Sequence, residues 1–499
     1  MHAERLCEHH RAGREAVGGC GRLTPGLNRR AFLRCVAASA AGLCGLRRAA
    51  AEPPGDGNPP NIVVILTDDQ GYADISLNPD HPKEVATPNM DALAGEGVCF
   101  TQAYITGNVC SPTRAGIMTG RYQQRYGIYT AGEGGSGLAL EAKTFPQFLK
   151  PAGYVCGAFG KWHLGLTREY SPLARGFDEF YGFLGRGAHD YFDLDNADSP
   201  LYRGFEPIED EGYLTTRLTD EAVSFIRQHK AQPFFVYLAY NAVHAPPQAP
   251  KDDVKRFNTG DPHRDVLMAM LTHLDAGVGR VARTLKDEGV WENTLLFFLT
   301  DNGGSKAMHA VNTPLRGFKQ WNYEGGIRTP FIVAWPARLK GGGRIDTPVI
   351  SLDILPTALA AAGVHPPTRN PFDGKSLLPV LRGETKTVHE HLFWSEGGAS
   401  GEWAVRSGNW KLVGIRQNVE LFDLSADPGE QHDLAARYPD QVKRLSALYN
   451  QWLDQMAEPM KSGGKRWKPS TPTPDEARRL ERRKARNAQK HRQRVELPE

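Results

Sequence analysis

Polar side chains with the chemistry of metal ligands follow two apolar runs of this sequence. They are Asp68 and Asp69 after the run 61–67, and Asp301 and Asn302 after the run 295–300. Adjacent residues of a strand point to opposite faces, so each pair can converge only where its strand has ended and the chain turns. The glycines that follow permit such a turn.

The two acidic pairs together predict a metal site. The carboxyl ends of parallel strands are where α/β sheets bind ligands, so we expect the four side chains to meet there. Three carboxylates and one amide are oxygen ligands that suit Ca²⁺ or Mg²⁺ rather than zinc. Either pair alone would be equally compatible with a turn or a helix cap. Two matching pairs favour the metal.

Cys110 lies at a predicted helix start. Ser111 has the properties of an N-cap residue and Pro112 those of a first helical residue. The helix N-terminus favours an anion, and Arg114 lies one turn inside, where it can supply a charged partner. A thiol in this position would itself be a good nucleophile, so a cysteine hydrolase is an open alternative. Such an enzyme has no need for the metal.

The hydrophobic pattern predicts the elements that position these residues. Continuous apolar runs, typical of strands buried on both faces of a parallel sheet, lie at 61–67, 234–239, 295–300 and 331–335. Helix-like stretches separate them, as at 218–229 and 266–288. This alternation predicts an α/β fold with a large, mixed, mainly parallel central sheet flanked by helices.

The pattern changes near residue 385. Short aromatic segments of alternating polarity occur at 391–394, 403–406, 410–414 and 420–424, followed by a helical stretch at 439–456. They predict a smaller C-terminal domain with an antiparallel sheet and a terminal helix. We therefore divide the chain into a leader at 1–51, a catalytic domain at 52–384, the C-terminal domain at 385–460 and a basic tail at 461–499.

The leader resembles a twin-arginine export signal. Arg29-Arg30 precede an apolar, small-residue run at 35–46, and Ala49-Ala50-Ala51 offer a cleavage site. The run is shorter than the roughly 20 residues of a membrane-spanning helix. An amphipathic first helix is the alternative, but no polar face repeats with helical period. We therefore expect an exported protein, periplasmic or extracellular, with no integral membrane segment in the mature chain.

The formal net charge of +3 comes from the leader and the tail, because the body between them is acidic. The body therefore lacks the basic bias of nucleic-acid-binding proteins, and we predict no nucleic-acid partner. The tail has few apolar residues and is predicted to be disordered. Binding of a sulfated polysaccharide through the tail is a hypothesis that rests on charge alone.

Beyond the leader only Cys99, Cys110 and Cys156 remain of the 7 cysteines, which is no disulfide framework. Cys99 and Cys156 could pair in an oxidising compartment if Cys110 is modified. We predict instead that both are buried free thiols.

Further motifs carry a resemblance to a known family. Cys110-x-Pro-x-Arg114, followed by Gly120-Arg121, resembles the formylglycine signature of the sulfatase family. The segment 153–165, which contains Lys161 and His163, resembles the second signature of that family. The remaining matches are the two acidic pairs, His244-Ala-Pro, Lys319 and Glu324-Gly-Gly-x-Arg328-x-Pro330. All the motifs stand in the order that the family has. The resemblance spans roughly residues 61 to 430.

The resemblance implies a cofactor and a nucleophile. A formylglycine-generating enzyme would oxidise Cys110 to an aldehyde, which hydrates to a geminal diol. One diol oxygen, held near the cation, attacks sulfur while the ester oxygen leaves. Ca²⁺ is the expected cation and Mg²⁺ the alternative, bound by Asp68, Asp69, Asp301, Asn302 and the modified Cys110.

The resemblance also implies roles for the basic residues. Arg114, Lys161 and Lys319 would bear the charge of the sulfate oxygens. His244 or Lys319 would protonate the leaving oxygen, and His163 would take the proton from the second diol hydroxyl, so that sulfate is expelled. Without the resemblance, Lys161 and Arg114 are equally compatible with surface charges and His163 with a core histidine.

Residues near the motifs are candidates for contacts with the rest of the substrate. His189 and Asp190, in the glycine-rich segment 185–191, could contact a sugar or aryl group, or belong to an ordinary surface loop. Trp321 and Tyr323, beside Lys319, could stack on a sugar face.

The sequence thus predicts a sulfuric ester hydrolase that acts on carbohydrate sulfates, with aryl sulfates as artificial substrates. Two alternatives stay open. One is a formylglycine-dependent phosphonate or phosphodiester hydrolase. The other is a non-catalytic protein that binds sulfated glycans and keeps Cys110 as a thiol.

Overall fold

The computed structural model describes residues 58–185, 187–194, 199–397, 401–460 and 494–496. The predicted leader and nearly all of the predicted basic tail lie outside these residues. Among the described residues, no helix combines the length and the apolar character that a membrane crossing requires. Cys99, Cys110 and Cys156 are free thiols, and Cys99 is half-buried rather than buried.

The strands of the described residues alternate with helices through the first part of the chain. The strands are β1 (Asn61–Thr67), β2 (Val98–Phe100), β3 (Ala103–Tyr104), β4 (Val155–Lys161), β5 (Glu179–Phe183), β6 (Leu201–Arg203), β7 (Glu206–Ile208), β8 (Phe234–Ala239), β9 (Gln248–Pro250), β10 (Thr294–Thr300), β11 (Phe331–Ala334), β12 (Gly343–Ile345), β13 (Val349–Ile350), β14 (His391–Glu396), β15 (Glu402–Ser407), β16 (Trp410–Ile415), β17 (Asn418–Asp423) and β18 (Arg494–Glu496).

The α-helices of the described residues are α1 (Pro88–Glu96), α2 (Cys110–Thr119), α3 (Ala131–Ser136), α4 (Phe145–Leu149), α5 (Leu214–His229), α6 (Lys251–Val254), α7 (Pro262–Asp287), α8 (Glu324–Ile327), α9 (Ile354–Ala361), α10 (Leu378–Leu381) and α11 (Pro439–Leu453). The predicted helices at 218–229, 266–288 and 439–456 correspond to α5, α7 and α11. Each predicted helix overlaps an observed one, and the bounds differ by a few residues at the ends.

The large sheet has the strand order β12-β2-β11-β10-β1-β8-β4-β5-β6-β7. Its centre is parallel, because β1 pairs in parallel with β10 and β8, and β4 with β8 and β5. The predicted mixed, mainly parallel sheet flanked by helices is therefore confirmed. β1 shows why its run is continuously apolar: Ile62 and Val64 face one core cluster, whereas Val63 and Ile65 face another.

One strand direction differs from the prediction. The run 331–335 is grouped by its sequence with the buried parallel strands, but β11 pairs antiparallel with both β10 and β2. An unbroken apolar run reports burial on both faces of a sheet, which β11 has, and carries no information about direction.

The smaller sheet consists of β14, β15, β16 and β17, each antiparallel to the next, and α11 packs against β15 and β16. This confirms the predicted antiparallel sheet with a terminal helix. Trp394 of β14 is fully buried and donates a hydrogen bond from its indole nitrogen to the Ile105 carbonyl (2.7 Å), so the sheet is tied to the segment before α2. A domain boundary at 384/385 stays a prediction.

Candidate active site

Asp68 and Asp69 converge because the chain leaves its strand conformation at Asp69. Asp69 has φ 59°, in the left-handed region that aspartate tolerates better than most residues. Asp69 itself therefore makes the turn that the sequence assigned to the glycines. Gly71 serves a different purpose, since a Cβ there would lie 2.3 Å from the Val311 carbonyl oxygen.

The second acidic pair ends β10, the parallel neighbour of β1, and so reaches the same edge of the sheet. Asn302 donates a hydrogen bond from Nδ2 to Asp69 Oδ1 (2.7 Å). Ligand atoms of Asp68, Asp69, Cys110 and His244 all lie within 4.8 Å of one another. Of the predicted metal ligands, the structure thus brings together Asp68, Asp69, Asn302 and Cys110, whereas Asp301 is joined to Asp68 through Arg114.

The oxygen atoms of this cluster suit a cation. Oδ1 of Asp301 and Oδ1 of Asn302 are buried and have no hydrogen-bond partner. Burial raises the pKa of Asp68 and of Asp301 above the usual value. Cys110 adds to the rise at Asp68, and the Asp68 carboxylate adds to the rise at Asp301. Unpartnered buried acceptors and crowded carboxylates are both stabilised by a bound divalent cation.

Helix α2 begins two residues earlier than predicted. Cys110 is its first residue, Val109 is the N-cap, and no side chain caps the helix. Ser111 is therefore not the N-cap. Its hydroxyl instead donates a hydrogen bond to the His163 carbonyl (2.6 Å) and so ties the helix start to the end of β4. Pro112 is tolerated in the first turn because its missing N–H would have no partner there.

Arg114 is fully buried and contacts three other residues of the site. Its Nε and Nη2 donate to Asp301 Oδ2 at 3.0 and 2.6 Å, and Nη2 also lies 3.2 Å from Asp68 Oδ2. Its Nη1 donates to the Lys161 carbonyl (2.9 Å). The sequence predicted that Arg114 is near Cys110, but not that it pairs with the acidic residues of two strands.

Lys161 and His163 occupy the end of β4, where the chain again turns. Lys161 Nζ lies 2.5 Å from Asp68 Oδ2, and both side chains are sealed from solvent. His163 has φ 58°, and its Nδ1 is buried without a hydrogen-bond partner. Burial, reinforced by the Lys161 and Arg114 cations, holds the pKa of His163 well below its usual value. This lowered pKa favours the neutral form of the imidazole.

His244 and Lys319 both lie close to the Asp69 carboxylate. Lys319 Nζ donates to both oxygens of Asp69 (2.7 and 2.9 Å), and His244 Nε2 lies 3.7 Å from Asp69 Oδ2. His244 Nδ1 donates to the Ala245 carbonyl, which leaves Nε2 directed at the site. Burial lowers the pKa of both groups, but the negative charges around them, Asp69 first and Asp68 with it, together outweigh burial and raise the pKa of both. The raised pKa favours the protonated form of both groups.

The same cations act on Cys110, whose Sγ lies 3.7 Å from Asp68 Oδ1. Burial opposes ionisation of the thiol, but Lys161 and Lys319 outweigh it and lower the pKa of Cys110 to about 6. An unmodified Cys110 would therefore be a reactive thiolate near neutral pH. The geometry of position 110 alone keeps the cysteine-hydrolase alternative open, whereas the buried oxygen cluster around it favours a metal enzyme.

The residues predicted to contact the rest of the substrate differ in their exposure and hydrogen bonds. Asp190 accepts hydrogen bonds from the Phe192 and Asp193 amides, and His189 is buried. Contact of either residue with substrate stays a prediction. Tyr323 is 3% exposed, and its hydroxyl donates a hydrogen bond to Glu420. The prediction that Tyr323 stacks on a sugar is therefore wrong. Trp321 is 46% exposed and stays a candidate for that role.

Sequence reasoning missed one charged residue close to this machinery. Lys411 of β16 is completely buried and pairs with Glu324 and Glu430. A signal was present, because a lysine occupies an inward position of a strand whose neighbours are apolar, and a buried lysine requires a partner. The partners could not be identified before the fold was known.

Two family models match the chain. The model described as sulfatase matches residues 60–364. The chain belongs to the sulfatase family. The model described as N-sulphoglucosamine sulphohydrolase, C-terminal, matches residues 317–458 of this sulfatase.

Relatives agree with this family. The sulfatase is 32% identical to the N-acetylgalactosamine-6-sulfatase of Homo sapiens, over 79% of this chain and 85% of that protein. It is 30% identical to the uncharacterized sulfatase YdeN of Escherichia coli (strain K12), over 80% of this chain and 86% of that protein. The protein is therefore a sulfuric ester hydrolase.

A solved structure also resembles the sulfatase closely. It is the crystal structure of Ps i-CgsB in complex with k-i-k-neocarrahexaose. The TM-score is 0.76 and the sequence identity 33%, and the match covers 81% of this chain and 94% of that chain.

Proposed function

We propose that this sulfatase hydrolyses sulfate esters of carbohydrates with a formylglycine made from Cys110 and a bound divalent cation. The observation that carries the proposal is the cluster in which ligand atoms of Asp68, Asp69, Cys110 and His244 lie within 4.8 Å. Cys110 is both the residue that the family signature marks for modification and a member of this cluster. Nucleophile and cation would therefore act on the same sulfate group.

The cation would be held by Asp68, Asp69, Asp301 and Asn302, together with the modified residue 110. A ligand set made of oxygen atoms favours Ca²⁺, with Mg²⁺ as the alternative. When bound, the cation would stabilise negative charge on the sulfate oxygens and lower the pKa of a hydroxyl at residue 110. Arg114 would fix the orientation of Asp68 and Asp301 and, with Lys161 and Lys319, would bear the charge of the sulfate oxygens.

Proton transfer would be divided between different residues in the two halves of the reaction. The hydrated formylglycine would supply the hydroxyl that attacks sulfur. In the first half, His244 Nε2 or Lys319 Nζ would donate a proton to the ester oxygen as its bond to sulfur breaks. In the second half, His163 would accept a proton from the second hydroxyl of residue 110, which would expel sulfate and restore the aldehyde. Lys161 and Lys319 would balance the charge of the sulfate.

A carbohydrate substrate is supported by the relatives. One relative is an N-acetylgalactosamine-6-sulfatase, and the similar solved structure holds k-i-k-neocarrahexaose. Exposed Trp321, beside Lys319, offers an aromatic face for a sugar ring. The proposed enzyme is exported, in keeping with the signal-like leader, and depends on a formylglycine-generating enzyme in the producing cell.

The test is a parallel assay of protein produced together with a formylglycine-generating enzyme. Aryl sulfate, aryl phosphodiester and a panel of defined sulfated oligosaccharides are compared, with Cys110→Ala as control. We expect sulfate release from aryl sulfate and from at least one oligosaccharide, and none from the control. Faster cleavage of the phosphodiester would favour the phosphonate or phosphodiester hydrolase. Oligosaccharide binding without sulfate release would favour the binding protein.

A further inference from the structure

Lys319 is carried by a loop that spans residues 316–326, here called the Lys319 loop. Its middle is fixed on the catalytic side. The Lys319 amide donates to the Gly304 carbonyl (3.1 Å), and the Gln320 amide donates to the Asn108 carbonyl (2.8 Å). Gly304 follows the second acidic pair and Asn108 precedes Cys110. The backbone beside Lys319 is therefore joined to the segments that carry the metal ligands and the nucleophile.

The two ends of the Lys319 loop are held by the smaller sheet instead. At one end, Arg316 Nη1 donates to Glu420 Oε2 of β17 (2.9 Å) and to the Glu430 carbonyl (3.0 Å). The hydroxyl of Tyr323 donates to the same Glu420 oxygen (2.6 Å). The Arg316 guanidinium also lies over the Tyr323 ring, 3.9 Å from its centroid.

At the other end, Glu324 is bound by a lysine of the smaller sheet. Lys411 Nζ lies 2.9 Å from Glu324 Oε1 and 2.8 Å from Glu430 Oε1, and all three side chains are 0% exposed. Glu430 Oε2 accepts a hydrogen bond from the Glu324 amide (2.6 Å). One buried cation thus joins two carboxylates. Without it, Glu324 Oε1 would lose its charged partner, and the carboxylate would be held only through Oε2, by Tyr104 and Arg328.

The Lys319 loop has little freedom to absorb a shift of these ends. A Cβ at Gly326 would lie 1.9 Å from the Trp321 carbonyl oxygen, and one at Gly325 would lie 2.4 Å from the Gly317 carbonyl oxygen. The backbone of the loop is thus packed on itself. A displacement of Glu324 would therefore be passed on to Lys319 rather than lost in a flexible segment.

We infer that Lys411 is a positioning residue for the sulfatase reaction, because it holds Glu324 and thereby sets the place of the Lys319 ammonium group. The inference rests on the proposed function of Lys319. The smaller sheet would thus contribute to catalysis without contacting substrate. Arg316 would be a second positioning residue, at the other end of the Lys319 loop.

The test is a double-mutant cycle between Lys411→Met and Lys319→Ala, with kcat and KM measured on an aryl sulfate. We expect Lys411→Met to lower kcat about 100-fold, the loss that a displacement of about 1 Å can cause. In the Lys319→Ala background it should cause no further loss. Lys411→Arg should restore part of the activity. Lys443→Met is the matched control, because Lys443 is exposed on α11, and it should leave kcat unchanged.

A purely structural role of Lys411 would give a different pattern. Loss of thermal stability with unchanged kcat per folded molecule would overturn the inference, and so would equal losses in both Lys319 backgrounds. If Lys411→Met does not fold, the same cycle with Arg316→Met decides, because Arg316 is 34% exposed. Unchanged kcat in Lys319→Ala itself would overturn the proposed role of Lys319, which separates that failure from failure of the positioning role.

Discussion

Arg114 donates two hydrogen bonds to one carboxylate oxygen of Asp301, from Nε at 3.0 Å and from Nη2 at 2.6 Å. Both side chains are fully buried. This pair links the first turns of α2 to the end of β10. Only a guanidinium has donors in the fork-like arrangement that reaches Asp301, Asp68 and the Lys161 carbonyl together. The pair therefore holds the nucleophile and the metal ligands in one rigid unit.

Replacing Arg114 with lysine should destabilise the protein although the charge is kept. An ammonium group cannot make all the contacts of Arg114, and we expect a loss of about 3 kcal/mol or more in the free energy of unfolding, as when a buried ion pair is broken. Urea denaturation measures this loss. Arg256→Lys is the matched control, because that arginine is 64% exposed. Equal stability of Arg114→Lys and the control would contradict this account of Arg114.

Removal of the metal should lower both activity and stability. Without a cation, Asp68, Asp69 and Asp301 repel one another in a buried site, so chelation should lower the melting temperature and abolish aryl sulfate hydrolysis. Added Ca²⁺ should restore both, and Mg²⁺ is the second ion to test. Asp301→Asn should weaken the response to Ca²⁺, whereas Asp252→Asn, at a side chain that is 93% exposed, should not. Full activity and an unchanged melting temperature after dialysis against chelator would exclude the metal.

His163→Ala should separate the two halves of the reaction. The neutral imidazole is proposed to act only after the alcohol has left, so the variant should release about one equivalent of phenol rapidly and then turn over roughly 10²–10⁴-fold more slowly. Stopped-flow measurement of phenol release tests this. His432→Ala, at a side chain that is 82% exposed, should show normal turnover. A slow first turnover in His163→Ala would assign His163 to the first half instead.

Trp321→Ala should affect large substrates more than small ones. If the exposed indole stacks on a sugar ring, its loss removes about 0.5–1.5 kcal/mol of binding, which raises KM severalfold for a sulfated oligosaccharide. The KM for an aryl sulfate and the kcat for both substrates should change little. Leu140→Ala, a second large apolar side chain that is 55% exposed, serves as control. Equal KM values for Trp321→Ala and the unaltered protein would remove Trp321 from the sugar site.

Local patterns predicted the fold well, because burial on both faces of a strand leaves a direct mark on the sequence. The run Phe234–Ala239 has the same bounds as the observed strand β8. The direction of a strand does not change its hydrophobic pattern. The antiparallel strand β11 was therefore grouped with the parallel strands. The start of α2 was also displaced, because Ser111 has the chemistry of an N-cap but satisfies the His163 carbonyl, a partner that is 52 residues away.

The candidate site could be predicted as a set of residues but not as a set of contacts. Asp68 and Asp301 follow strands of similar pattern, and the rule for parallel sheets placed them together. The pairing of Arg114 with both, and of Lys411 with Glu324, depends on tertiary packing between segments far apart in the chain. Tyr323 was misjudged for the same reason, since its hydroxyl is taken up by Glu420 of the smaller sheet.

The central claim is that position 110 becomes the nucleophile by oxidation of its cysteine. Mass spectrometry of the proteolytic peptide that contains Cys110, from protein produced by a host with a formylglycine-generating enzyme, tests this most directly. The account predicts that the peptide carries an aldehyde at position 110, which reacts with a hydrazine reagent. A peptide found only with an unmodified thiol at position 110, in protein that still hydrolyses sulfate esters, would contradict it.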